Sequence, residues 1–252
     1  MRTRLPGFLL IVLLLIGWEI ASATDLVDAV SLPRVSTILA AFVHGITSGT
    51  LPDAIGPSLW RIGAGFALAC VVGIPLGLLM GTVPLVYRLL EPLTEFIRPI
   101  PSAAYIPVAI LFLGIGDEMK IFVVFLASLF PILLNSFAGV RSIDPVLLDT
   151  ARTFRTARLP TLLQIVLPAA LPSILTGMRI SVGLSLIVAV VAEMISGNSG
   201  IGYFILDNQR IFRVPEMFAG IFTLGLLGYM INLAFLRIEH HLLRWRANTG
   251  AG

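Results

Sequence analysis

The stretch DTARTFRTARLPTLLQIVLPAALP, Asp149 to Pro172, spaces Arg152, Arg155 and Arg158 along a polar half and then turns almost wholly apolar. Before it lies the charge-free run Ile121 to Val140, and beyond it the long apolar run Leu171 to Ile195. A helix rising about 1.5 Å per residue crosses about 30 Å of hydrocarbon in a run of that length. A cationic segment set between two such runs is a loop at a membrane surface, open to something outside the lipid.

The loop parses into two short helices. Asp144 before Pro145 is an N-cap with proline at the first helical position, and Leu147, Ala151 and Phe154 then fall at i, i+4 and i+7. A second helix begins near Pro160, carries Leu162, Leu163, Ile165 and Val166, and is expected to end by Pro168, which has no backbone N–H to donate. Together they predict a hairpin over about residues 144–168. Two readings are open for it: an amphipathic loop with an apolar side on the membrane, or a knob whose Leu147, Ala151 and Phe154 enter a partner's groove.

Working outward, the 252 residues are 57% hydrophobic and 12% charged, and mean hydropathy is +0.98. So few charges cannot coat a soluble domain of this size. Lipid supplies the missing coat. Ile62 to Val83 and Met217 to Leu236 are further charge-free runs; Pro99 to Gly116 is uncharged but proline-rich, and Leu171 to Ile195 contains Arg179 and Glu193. Met1 to Ala23 has the basic start, apolar stretch and Ala21-Ser22-Ala23 of a cleaved signal, but Trp18 and Glu19 interrupt the approach to that site. It is read as a first span, about Leu5 to Ala23. The expectation is an all-α, polytopic membrane protein of about six spans.

Basic residues orient the spans, because cytoplasmic loops are enriched in them. With the N-terminus inside, Arg2, Arg4, Arg88, Arg141, Arg152, Arg155, Arg158, Arg237, Arg244 and Arg246 lie inside, against Arg34, Arg61, Lys120, Arg210 and Arg213 outside. Both termini and the opening stretch are therefore expected in the cytoplasm. Outside, Val35, Ile38, Leu39, Phe42 and Ile46 share one helical face, which predicts a helix lying along the interface or docked on the bundle. Gly73, Gly77 and Gly81 form a small-residue stripe for close helix packing. His44, His240 and His241 show no metal-ligand spacing. No metal site and no catalytic residue is expected.

At Leu148-Asp149-Thr150-Ala151-Arg152, Leu167-Pro168-Ala169-Ala170-Leu171-Pro172 and Gly177-Met178-Arg179, the chain resembles the cytoplasmic "EAA" loop of permease subunits in binding-protein-dependent ABC importers. Arg98-Pro99-Ile100-Pro101 with Tyr105-Ile106-Pro107, Phe130 to Asn135, and Ala192-Glu193-Met194 with Gly200-Ile201-Gly202-Tyr203 resemble the sulfonate, nitrate and taurine branch. The resemblance covers nearly the whole chain. It implies a type I importer-like fold: a single permease domain over residues 1–252, with a core transport region over about 59–240. It implies that Leu147, Asp149, Thr150, Ala151, Arg152, Phe154, Arg155 and Arg158 couple the chain to an ATPase. The chain departs from the family pattern at Asp149 for glutamate, Thr150 for alanine and Arg155 for the turn glycine. A non-glycine residue in a left-handed turn costs about 1 kcal/mol or more. Either Arg155 offsets this at the helix C-terminus, or the turn is built differently.

The partners that the resemblance implies are two ATP-binding subunits, a second permease copy, the lipid bilayer and a soluble substrate-binding protein docked on exterior loops including Asp207 to Glu216. No nucleic acid is among them. It places the protein in the bacterial inner membrane and points to small anions such as alkyl sulfonates, taurine or nitrate. Cofactors are none in this chain, with ATP and Mg in the partner subunit. Independently, the P-loop pattern needs a lysine on the phosphates, and the only lysine here, Lys120, follows Met119. The chain cannot hydrolyse ATP by that device.

The pathway candidates are Arg98, Pro99, Pro101, Ser102, Tyr105, Arg179 and Glu193. The prolines free backbone groups near the start of a span, which suits either a water-filled cavity or a packing kink. Arg98 snorkels to the cytoplasmic interface. Arg179 sits inside the fifth span, where a charge is expected to face the bundle interior, and Glu193 lies about 21 Å further along the helix, too far to pair with it. An ion-gradient-driven secondary transporter would use both as coupling sites, and a structural membrane scaffold would use neither.

Overall fold

The computed structural model describes residues 5–24 and 32–243, and helices are the only regular structure among them. Arg2, Arg4, Arg244 and Arg246, which entered the charge count, lie outside the described residues. The chain divides into two compact units, residues 1–58 with 193–227 and residues 59–192 with 228–252.

The second unit is a bundle of long helices drawn together by glycine. α3 (Thr50–Thr82) enters it at residue 59 and runs along α6 (Asp117–Arg141). A Cβ on Gly77 would stand 2.5 Å from the Leu133 carbonyl oxygen, and one on Gly81 would stand 2.5 Å from the Val140 Cβ. Real Cβ atoms do not come so near, so the glycine stripe fixes how closely α3 and α6 approach. α9 (Leu167–Ser196) meets α6 in the same manner at Gly177, where a Cβ would stand 2.6 Å from the Pro131 carbonyl oxygen. Apolar clusters fill the bundle: Leu78, Val140, Ile143, Val166, Ala170 and Ile174 form one, Ile106, Met119, Val123 and Val188 are among the members of a second, and Ile62, Val124 and Ala189 form a third.

In the first unit, α1 (Leu5–Ala23) is held to α2 (Val35–Thr47) by the two residues that argued against a cleaved signal. Glu19 accepts from the Ser36 backbone N–H at 3.2 Å and the Ser36 hydroxyl at 2.8 Å. It thereby caps a helix other than its own, satisfying a first-turn donor that α2 cannot pair internally. The Trp18 indole donates to the Pro33 carbonyl at 3.0 Å and packs edge-on against Phe218. On α2, Ile38 is buried and Phe42 packs edge-on against Phe222, while Leu39 and Ile46 stay exposed. The expected apolar face is docked along part of its width.

Among the described residues, four helices are long and apolar enough to cross a membrane: α3, α6, the continuous helix Arg158–Ser196, and α11 (Val214–Leu242). The proline-rich span expected from Pro99 to Gly116 is the second half of a broken one. α4 (Pro84–Ile97) and the segment Ser102–Leu113, a 3-10 turn followed by α5 (Ile106–Leu113), meet at 86° and make a fifth crossing if taken as one. Pro99 and Pro101 explain the break, since each lacks the N–H needed to carry the helix on and each disfavours a helical residue before it. The first of the six expected spans is a helix over Leu5–Ala23, although its apolar part, Leu9–Ala23, is shorter than the rest.

Candidate functional site

The opening stretch folds as an exposed helix and a sharp turn. α7 (Pro145–Thr153) begins as expected, with the Asp144 carboxylate accepting from the Val146 N–H at 2.9 Å and Pro145 at the first position. It ends at Arg155, whose φ of 51° is left-handed. The Arg155 N–H donates to the Arg152 carbonyl at 2.9 Å and the Thr156 N–H to the Ala151 carbonyl at 3.1 Å. These are the two reversed bonds of a Schellman cap, so the turn has the geometry that glycine adopts, with arginine in the strained position. Asp149 and Arg152 pair at 2.9 Å on the exposed surface, a contact of little energetic weight.

Two expectations about this region are corrected. Ala151 does not share the exposed face of Leu147 and Phe154: it is 4% exposed, turned into the chain, while Phe154 is 78% and Leu147 44% exposed. Its side chain falls toward the Leu148 side of α7, and Leu148 packs on the cluster around Val140 and Ile143. Nor does the second helix stop at Pro168. One helical turn (α8, Arg158–Thr161) passes through a π turn at Leu162–Val166 into α9 without interruption. The Leu167 N–H reaches five residues back to the Leu162 carbonyl. That widened turn gives room to a ring that cannot donate and would otherwise crowd the preceding turn.

The broken span walls a cavity of about 280 Å³. Arg98, Pro99, Pro101, Ser102 and Tyr105 all line it, facing Phe130, Pro131 and Leu134 of α6 and Leu184 of α9. Five of the seven pathway candidates thus come together. The cavity is chiefly apolar with Arg98, Ser102 and Tyr105 as its polar points, the pattern of a small-molecule site. Arg98 also pairs with Glu95 at 3.2 Å, both side chains about half exposed.

The other two candidates stand elsewhere. Arg179, expected to face the bundle interior, is exposed on α9. Glu193 is fully buried in the first unit and is occupied there: the Ser58 hydroxyl donates to it at 2.8 Å and the Gly202 N–H at 3.0 Å, while Ser58 itself accepts from the Ile201 N–H at 2.9 Å. The carboxylate therefore sits on the N-terminus of α10 (Ile201–Arg210), where unpaired N–H groups and the helix dipole favour negative charge. Gly200, at φ 107° and ψ 165°, lets it come so close. Sequence reasoning missed Ser58, and the only local signal for the arrangement was the Gly200-Ile201-Gly202 run. It also missed the buried Arg61, whose Nε donates to Asp117 at 2.8 Å.

Membrane-length helices, a proline-broken span around a small cavity and an exposed amphipathic helix on a loop describe a polytopic membrane protein. The chain belongs to the family described as "Binding-protein-dependent transport system inner membrane component", whose model matches residues 73–247. It is similar to the aliphatic sulfonates transport permease protein SsuC of Bacillus subtilis, 32% identical over 96% of this chain and 88% of that one. It is similar as well to the taurine transport system permease protein TauC of Escherichia coli, 31% identical over 95% of this chain and 89% of that one. The nitrate import permease protein NrtB of Leptolyngbya laminosa is 35% identical over 71% of this chain and 64% of its own length. In fold it matches a chain of the MetNI methionine ABC transporter in an inward-facing conformation, with a TM-score of 0.68 at 19% identity, covering 76% of this chain and 95% of that one. The protein is the inner-membrane permease subunit of an ABC importer, and membership of the family implies an ATP-binding subunit and a substrate-binding protein as its partners.

Proposed function

We propose that this permease passes a small anion of the sulfonate, taurine or nitrate class from a soluble binding protein across the inner membrane, driven by ATP hydrolysis on two partner subunits. The whole chain acts as one permease domain and a second copy completes the passage. ATP and Mg belong to the partner, and this chain catalyses no reaction. Both termini and α7 face the cytoplasm, where Leu147 and Phe154 dock on the ATP-binding subunit. Asp149, Thr150, Arg152, Arg155 and Arg158 surround that contact.

The observation that carries the substrate reading is the cavity behind Pro99 to Pro101, whose one cationic side chain among the described residues is Arg98. Relatives named for sulfonates, taurine and nitrate have cargoes that share an anionic oxygen-bearing group, a sulfonate or a nitrate, to which taurine adds an ammonium. Exposed Arg179 fits the same picture, because a charge within a span is costly against lipid and calls for protein or water beside it. Glu193, by contrast, accepts from Ser58 and Gly202 at the N-terminus of α10, a structural use that supports the ATP-driven reading over an ion-coupled one.

The test is to reconstitute the complex with its own binding protein and measure substrate-stimulated ATP hydrolysis with a sulfonate, taurine, nitrate and a neutral pyrimidine. Stimulation by an anion, lost in Arg98→Ala with assembly intact, supports the reading. Stimulation by the neutral compound alone refutes it.

A further inference from the structure

At the C-terminal end of α11, Leu236, Arg237, His240 and His241 wall a surface hollow of about 400 Å³. Arg237, His240 and His241 stand at i, i+3 and i+4, so they share one face of the helix, and all three are exposed. Glu239, the one acid in that turn, is half-buried with a carboxylate oxygen shut away from solvent. The charge offered outward is therefore basic. A guanidinium supplies a forked pair of donors for phosphate oxygens, and each imidazole supplies a further N–H.

The same face has a second property. Ile238 lies beside the hollow's basic residues, and running back along α11 from it Ala234 and Met230 follow at helical spacing; each of the three is exposed and uncharged. α11 is long and apolar enough to cross a membrane, so Ala234 and Met230 lie toward the hydrocarbon, while the basic cluster, with Ile238 among it, lies at the headgroup boundary. A cationic hollow capping an exposed apolar stripe matches a molecule that joins an anionic head to an acyl chain.

We propose that this face of α11 is a binding site for an anionic phospholipid, with the headgroup phosphate held by Arg237, His240 and His241 and an acyl chain laid along Ile238, Ala234 and Met230. Free phosphate satisfies the hollow but not the stripe. A zwitterionic lipid satisfies the stripe but carries no net charge to the hollow. A second copy packed here about an axis along the membrane normal would set each Arg237 at the depth of its twin, like charge toward like.

The test uses the purified full-length chain in detergent, titrated with phosphatidylglycerol, phosphatidylcholine or inorganic phosphate while the melting temperature is followed. Phosphatidylglycerol alone is expected to raise it. The combined Arg237→Gln, His240→Gln and His241→Gln variant is expected to bind that lipid at least about fivefold more weakly. Should that variant fold poorly, the wild-type chain answers alone, since high salt must weaken a headgroup-driven effect and leaves a purely apolar one in place. An equal response to phosphatidylcholine, an equal response to phosphate, or indifference to salt overturns the proposal. So does a disulfide between copies through Ile238→Cys in a Cys70→Ser background.

Discussion

Glu193 is the residue whose sequence position says most and explains least. Its setting in a long apolar run marks it as costly, yet its partner Ser58 lies 135 positions away, at the other end of the chain. Local spacing carries no trace of such a pair. The structure makes the dependence sharp: a Cβ at Gly200 would stand 2.3 Å from the Glu193 Cδ. Backbone at that φ and ψ is nearly confined to glycine, at a cost of about 1–3 kcal/mol for other residues. Gly200→Ala is therefore expected to lower the thermal stability of the purified chain by about 3 kcal/mol or more, clash included. Glu193→Ala leaves the Ser58 hydroxyl and the Gly202 N–H without their acceptor, at about 1–3 kcal/mol each. If instead Glu193→Ala keeps full stability and abolishes only transport, the capping role is wrong and a pathway role returns.

Arg155 poses the opposite case: its departure from the family's turn glycine marked the position but left two builds of the turn open, and the structure takes the left-handed one. Its φ of 51° and the two reversed hydrogen bonds are those a glycine would give. Arg155→Gly is expected to raise the melting temperature, by an amount equivalent to at most about 1 kcal/mol. A fall would mean that the arginine's charge beside the last carbonyls of α7 outweighs its backbone strain.

Among the elements, α7 was legible because its signals are local: a capping aspartate, a first-position proline and an apolar spacing. What the spacing hid was which way the helix rolls. Leu147 and Ala151 are one turn apart, but the roll that buries Leu148 carries Ala151 inward with it. The two faces predict different losses. Phe154→Ala is expected to weaken recovery of the ATP-binding subunit about tenfold with the chain's own stability changed by no more than about 0.5 kcal/mol. Ala151→Asp is expected to destabilise the chain itself, by about 3 kcal/mol or more, since it buries an unpaired charge. Co-purification alongside a melting curve separates them. Equal loss of partner with no loss of stability in both variants would show that Ala151 is reached by the partner after all.

Prolines show the same limit at the scale of elements. Each marks a missing donor, but the sequence does not say how the chain responds. At Pro168 the response is a widened turn and the helix continues. Pro172 and Pro131 lie inside helices that also continue. At Pro99 and Pro101, two apart, no turn of helix fits between them, and the span breaks by 86°. Spacing of the pair, more than the presence of proline, decides whether a helix bends or breaks.

For the whole molecule, hydropathy alone identified the long crossings, because a run of apolar residues at membrane length has few soluble uses. Orientation rests on a different quantity, the distribution of arginine between loops, and its strongest contribution is the cluster of Arg152, Arg155 and Arg158 beside α7. All three are exposed, as is Asn198 in the segment between α9 and α10. α9 is long and apolar enough to span a membrane, and the proposed topology puts the segments at its two ends on opposite sides. With Cys70 first replaced by serine, Asn198→Cys is expected to react with a membrane-impermeant thiol reagent added to the outside of intact spheroplasts, and Thr156→Cys only once the membrane is opened. Reaction of Thr156→Cys from outside would invert the chain. It would also move α7 away from the compartment that holds ATP, so the proposed coupling contact fails with the topology: Leu147 and Phe154 can meet an ATP-binding subunit only if the arginines beside them are cytoplasmic.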